Sequence, residues 1–282
     1  MPSQSDFSSW IGKSVEVTDL VTPRLVEEYR VTFAPFLAPQ PEDEAPLGFH
    51  WCLSPSLAPA DELGADGHPR KGGFLPPVPL PRRMWAGGYI DFHGPIKIGD
   101  EVRRRSTIAS IEMKEGRSGP LCFVGVEHEY LTPRGLALSE LHNIVYREAA
   151  GPGGERPAKA APADRALPPG AQTCRVTPSP TLLFRYSAMT FNGHRIHYDR
   201  PYATGVEGYD DLVVHGPLQA TLMLNRAVAG KGAPARKFSY RGLAPLTSGA
   251  DFDIVVDLAG ERAECWTQRS GGPVNMQGEI QW

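Results

Sequence analysis

Residues 217–229, PLQATLMLNRAVA, are the strongest constraint on what this chain can fold into. Leu218, Leu222, Met223, Leu224, Ala227 and Val228 leave a helix here with no broad polar face. Such a helix has no side to offer water and must be enclosed. Gly230 reads as its end. Four strand-like runs follow, at 236–241, 250–259, 262–269 and 273–281. One buried helix followed by antiparallel strands predicts a sheet wrapped around that helix.

The first half carries the same ingredients. Val15 and Val17 alternate with polar residues, as in a strand. Thr22-Pro23 is a helix start, with Thr as cap and Pro at the first position. Leu25, Val26, Tyr29 and Phe33 then recur at helical spacing, and Pro35 stops the helix. From 85 to 147 the pattern is a meander: runs at 85–92, 101–113, 121–131 and 136–147, divided by Gly- and Pro-containing turns. Between them, residues 35–84 form a long Pro-rich excursion, with 47–53 expected to be extended and buried. Loops this long in a folded domain are usually functional or disordered. Phe74 and Trp85 make disorder a poor account of its end.

Residues 149–172 are small, Gly-rich and Pro-rich, with Leu167 as the one large apolar side chain. They read as an exposed linker. A second helix start, Ser179-Pro180, follows. The chain thus divides into a unit at 1–148, a linker at 149–172 and a unit at 173–282. The class is α+β, with two similar units in tandem and no residue-level repeat between them.

The totals exclude several functions. A net charge of −3 over 282 residues, with basic residues scattered apart from Arg103-Arg104-Arg105, gives no nucleic-acid footprint. No apolar run nears the roughly 18 residues that span a membrane. Cys52, Cys122, Cys174 and Cys265 form no CxxC, and the start, MPSQSDFSSW, has neither a basic nor an apolar region. Reduced thiols in a cytoplasmic protein are expected.

Chemistry concentrates in residues 186–203, YSAMTFNGHRIHYDRPYA, and in His215-Gly216-Pro217. Three readings stand for His194, His197 and His215: zinc ligands, structural histidines, or acid/base groups. Zinc needs a helix to aim an H-x-x-H pair, and Asn192-Gly193 favours a turn. Imidazoles beside an amide and a guanidinium titrate near neutral pH, which suits proton transfer. Pro217 fits a helix start, and Gly216 has no side chain to keep a ligand from its amide. A helix N-terminus carries free N–H groups and partial positive charge, suited to a carbonyl oxygen gaining enolate charge.

These residues resemble the MaoC-like (R)-specific enoyl-thioester hydratase/dehydratase family. The family's aspartate position is Asn192 here, its asparagine-proline is His194-Arg195, its histidine is His197, and its glycine is Gly216. The FNGHRIHYD form in a two-unit chain resembles the HTD2-like subgroup, which includes mesaconyl-C4-CoA and itaconyl-CoA hydratases. The resemblance implies a double hot-dog, each unit an antiparallel sheet around a central helix, with a degenerate first unit. It implies reversible addition of water to an enoyl-CoA, the acyl group being small, branched and dicarboxylic. No metal or other cofactor is implied, because coenzyme A arrives with the substrate.

An amide at 192 does not ionise. His197 is therefore expected to move the proton both ways, with Asn192 orienting the water. Asp199 reads either as a partner of His197 or as a helix cap before Arg200-Pro201. His194 is a candidate second imidazole, and His215 a supporting one. Arg82, Arg83 and Arg195 are candidates for the far carboxylate of the acyl group.

Three rival activities stay open. One is a 3-hydroxyacyl dehydratase acting on acyl carrier protein, which the lack of a basic patch disfavours. Another is a thioesterase, for which helix 217–229 offers only Gln219 and Asn225. The last is a thioester-binding module without catalysis. Exposed strand edges suggest pairing into a homodimer.

Overall fold

The computed structural model describes residues 7–116, 119–148 and 165–282. The expected linker at 149–172 therefore lies, as far as residue 164, outside the described residues. Ten strands form a single sheet: β1 (Ser14–Leu20), β2 (Arg82–Phe92), β3 (Glu101–Gly116), β4 (Gly119–Thr132), β5 (Gly135–Arg147), β6 (Gln172–Val176), β7 (Lys237–Gly242), β8 (Phe252–Ala259), β9 (Arg262–Gln268) and β10 (Val274–Gln281). Their order is β1-β3-β4-β5-β2-β7-β10-β9-β8-β6, with every pair antiparallel. Exchanging β1–β5 for β6–β10 reverses this order onto itself. The halves thus share one topology, and β2 and β7 join them at the centre, from Gly87↔Arg241 to Asp91↔Lys237.

Four α-helices complete the described chain: α1 (Pro23–Phe33), α2 (Pro180–Met189), α3 (Arg200–Gly205) and α4 (Gly216–Lys231). The caps act as the sequence predicts. Thr22 accepts from the Leu25 amide and Ser179 from the Leu182 amide, each satisfying a free N–H of the first turn. The two capped helices pack on each other, with Phe33 edge-on to Tyr186 at 5.8 Å.

α4 is the enclosed helix. It lies against β8, β9 and β10 and reaches β7 and β2, with Leu218, Leu222, Met223, Leu224 and Ala227 essentially sealed from water. It runs past the expected end. Gly230 is inside the helix, and Gly232 stops it by taking a left-handed φ of 71°.

The first half departs from the second. Where the second places α4, the first has residues 34–81, which among the described residues hold short 3-10 turns and isolated bridges at Glu44 and Leu63–Pro69 but no longer helix. One of these, Phe49–Cys52, replaces the expected extended segment at 47–53. Gly48 allows the turn with a φ of 86°, and its missing Cβ leaves room for Thr221 of α4 and the Tyr29 hydroxyl. Phe49, His50, Cys52 and Leu53 are buried all the same, so the apolar signal was right and only its geometry differs.

Asn225 of α4 fastens this excursion. Its Oδ1 accepts from the Ala38 amide at 3.1 Å, and its Nδ2 donates to the Leu47 carbonyl at 3.0 Å. No helix among the described residues is long and apolar enough to cross a membrane. All four cysteines are free thiols.

Asn225→Ala should lower the unfolding free energy by about 1–3 kcal/mol, because it strands the buried Ala38 amide and leaves the Leu47 carbonyl with the Tyr29 hydroxyl. Urea unfolding measures this, and an unchanged midpoint would contradict the assignment.

Candidate active site

The chain between α2 and α4 is shaped by short-range hydrogen bonds. The Asn192 amide donates to the Ser187 carbonyl, and the Asn192 side-chain oxygen accepts from the His194 amide at 3.0 Å. This Asx turn leads into a 3-10 turn at Arg195–His197. Phe191, just before it, holds a left-handed φ of 50°, an uncommon conformation for a large side chain. Asp199 caps α3 through the Tyr202 amide, and its other oxygen takes Arg195 at 2.7 Å.

His197 is buried, and its Nδ1 lies 2.7 Å from the Val213 carbonyl. A carbonyl only accepts, so Nδ1 carries the hydrogen and Nε2 is the free nitrogen. The ring stacks on His215 at 3.6 Å and 18°. His215 is the residue before Gly216, and its Nε2 meets the Ser187 hydroxyl at 2.8 Å. A histidine ring lies about 5 Å from the following amide nitrogen, which keeps the His197 ring within about 9 Å of the Gly216 nitrogen. That nitrogen stands in the first turn of α4, where helix geometry supplies no acceptor.

Gly216 is small because of the first half. A Cβ there would stand 2.3 Å from Cε3 of Trp85 on β2. Trp85 stacks on Tyr240 of β7 at 4.6 Å and 20°. Tyr240 in turn donates to buried Glu140 of β5 at 2.7 Å, and Trp51 donates to the same oxygen at 3.0 Å.

A loop of the first half also reaches the site. Gly67 presses on Gly193, where a Cβ at 67 would stand 1.9 Å from the Gly193 oxygen. The Arg195 amide donates to the Asp66 carbonyl at 2.9 Å, and its guanidinium to the Ala65 carbonyl at 3.0 Å. Asp66 holds the His68 ring through Nδ1 at 2.9 Å. Four imidazoles then run in a line: His68 to His194 at 4.2 Å, His194 to His197 at 5.4 Å, and His197 to His215 at 3.6 Å.

Comparison with known proteins places the chain in a family. The family Htd2, hydroxyacyl-thioester dehydratase type 2, matches residues 48–248. The mesaconyl-C(4)-CoA hydratase of Chloroflexus aurantiacus is 42% identical over 282 residues, covering 99% of each chain.

The chain belongs to the hydroxyacyl-thioester dehydratase type 2 family.

Among solved structures, a MaoC-like dehydratase superposes with a TM-score of 0.69 at 18% identity, covering 98% of this chain and 99% of its own. A Mycobacterium tuberculosis protein with a double hotdog fold superposes at 0.54 and 13% identity, covering 96% of both chains. The fold of this Htd2-family enzyme is a double hot-dog, and its activity is that of a hydratase/dehydratase.

The structure brings together His194, His197, His215, Gly216 and Asn192. It separates others. Asp199 is not a partner of His197: both its oxygens are engaged, by Arg195 and by the α3 amide, and His197 relies on Val213 instead. Arg195 is bound to Asp199 and Ala65, and Arg82 is paired with Glu207 at 3.0 Å. Arg83 has no ion pair among the described residues; burial depresses both His68 and His194, and the Arg83 charge adds to it.

His197 and His215 stack face to face, which does not aim their nitrogens at one point, so the zinc reading of those rings fails. Asp66, His68 and His194 do cluster, with candidate ligand atoms within 4.8 Å of one another. There the guanidinium of Arg83 repels a cation, and Asp66 already holds a ring nitrogen of His68. The sequence reading missed Asp66 and His68. Their one signal was a place inside a loop too long to be idle.

Burial sets the titration of the site. It pushes His197 down to about 4, with the Val213 bond opposing, and drives His215 well below its usual value. His197 is therefore neutral at pH 7, with Nε2 ready to accept a proton. Burial raises Asp66, but the hydrogen bonds it accepts from the His68 ring and the His68 amide prevail and hold the carboxyl low. Burial likewise lowers His142 to about 4 and His128 to about 3.

For each such histidine the unfolded chain binds more protons than the folded one between pH 6.5 and the depressed value. Stability is therefore full above about 6.5 and is lost as pH falls toward 4. The melting temperature should drop steadily from pH 7 to pH 5. A flat profile over that window would contradict neutral buried imidazoles.

Proposed function

We propose that this enzyme adds water reversibly across the α,β double bond of an enoyl-CoA carrying a small, branched dicarboxylic acyl group. Mesaconyl-C4-CoA and itaconyl-CoA are the leading substrates. The full-length likeness to a mesaconyl-C(4)-CoA hydratase supports the class. The observation that carries the chemistry is the free Nε2 of neutral His197 beside the tip of α4.

In this reading the thioester oxygen lies at the Gly216 amide, where α4 offers unpaired N–H and positive potential. His197 Nε2 takes a proton from water as the water oxygen bonds to the β-carbon. The π electrons move to the carbonyl oxygen, and the enolate is held at the helix tip. The same imidazole then returns its proton to the α-carbon, and the carbonyl re-forms. Asn192 has its oxygen committed to the His194 amide, so its NH₂ is the part left to orient the water. His194 supports His197 at ring distance. Coenzyme A enters only as part of the substrate.

Residues 173–282 act as the catalytic unit. Residues 1–148 act as a degenerate unit that buttresses the helix tip, and 149–172 join them. A cytoplasmic place suits the free thiols. The thioesterase reading lacks its acid, since α4 carries none. Gln219 is bonded to Thr267 at 2.7 Å, and Asn225 is spent on the excursion.

His197→Ala should reduce kcat on an enoyl-CoA by about 100- to 10,000-fold, the usual worth of a general acid/base. Loss of the conjugated-enoyl absorbance measures it. Turnover close to that of the wild type would refute the assignment.

A further inference from the structure

The first half presents a set of polar groups that the hydration mechanism leaves unused. Arg83 and Trp85 lie two residues apart on β2, and Arg83 stands opposite Tyr146 of β5. His142 and Tyr146 are four apart on β5, so all four side chains share one face of the paired strands. That face is the one from which Trp85 meets Gly216. The Trp85 and His142 rings lie 5.8 Å apart, edge to face.

Two polar atoms on this face are buried without a hydrogen bond in the described structure, Trp85 Nε1 and His142 Nε2, and the buried Tyr146 hydroxyl lies at the guanidinium of Arg83. Native proteins seldom leave such groups unpaired, and each costs about 1–3 kcal/mol when stranded. Beside them is Arg83. It faces the Tyr146 hydroxyl, and its charge is felt at His142, His68 and His194. Neighbouring Arg82 and Arg195 each have a carboxylate, whereas Arg83 has none among the described residues. A partly buried guanidinium with no acid among the described residues, beside an indole N–H and a phenol O–H with no acceptor there, is suited to a planar anion.

We propose that Arg83, with Tyr146, Trp85 and His142, forms the subsite for a free carboxylate on the acyl chain. The proposal rests on the enoyl-CoA reading above. The chemistry agrees with the placement. When the thioester carbonyl is at Gly216, a short dicarboxylic chain ends only a few bonds beyond its double bond. Its carboxylate must then be held close to the helix tip, and Trp85 links that tip to Arg83. The subsite would select carboxylated enoyl chains over plain ones and fix which carbon faces His197.

The test compares wild type, Arg83→Met and Tyr146→Phe on mesaconyl-C4-CoA, itaconyl-CoA and crotonyl-CoA, with melting temperatures to confirm folding. Crotonyl-CoA has the same double bond and no second carboxylate. Arg83→Met should lower kcat/KM on the two carboxylated substrates by about 100-fold, the usual scale for removing one partner of a buried charge pair, and change crotonyl-CoA less than about threefold. Tyr146→Phe should show the same selectivity, at about 5- to 10-fold.

An equal loss on all three substrates would show a structural role and overturn the subsite, as would no loss on any. A wild type that prefers crotonyl-CoA also overturns it while leaving the hydratase reading intact. A wild type inert on all three removes the hydratase reading and the subsite with it.

Discussion

The contact on which the site depends is that of Trp85 with Gly216. An indole from one half fills the space where a side chain at the tip of the other half's buried helix would stand. Its position is set in turn by stacking on Tyr240, which is bonded to buried Glu140. The helix tip is thus fixed by side chains from β2, β5 and β7, on both sides of the join between halves. On its other flank, His215 stacks on His197, and Ser187 of α2 holds His215. An amide to which the helix supplies no acceptor and the Nε2 that the Val213 bond leaves over on His197 are brought together.

The halves share a topology and differ in what they carry. The second keeps the long enclosed helix and the loop that carries Asn192, His194 and His197. The first has given up the helix for an excursion, which α4 itself anchors through Asn225. What the excursion returns is contact with that loop. Gly67 against Gly193 lets two backbones approach more closely than any side chain permits. Asp66 and His68 extend a line of imidazoles that burial keeps neutral. Neutral rings avoid the mutual repulsion that four charged ones would suffer at these spacings.

Much of this was legible in the sequence where the cause is local. Thr22-Pro23 and Ser179-Pro180 set helix starts within four residues. The composition of 217–229 required enclosure, and alternation between 85 and 147 required strands. The Asn192–Asp199 motif is itself a run of short-range turns and caps. Other features were not legible, because their causes lie far along the chain. Nothing near Gly216 reveals that Trp85 is the reason for the glycine. Asp66 and His68 are unremarkable until Gly67 meets Gly193. The extended reading of 47–53 failed because burial alone does not distinguish a strand from a 3-10 turn. The helix outran Gly230 because Gly232 is the glycine placed to take the left-handed turn.

A crystal structure with a saturated acyl-CoA, which cannot be hydrated, tests the central claim most directly. The account predicts the thioester oxygen within about 3 Å of the Gly216 nitrogen, and His197 Nε2 within one water of the β-carbon, as reacting groups require. A thioester seated elsewhere, beyond about 10 Å from that nitrogen, would contradict it.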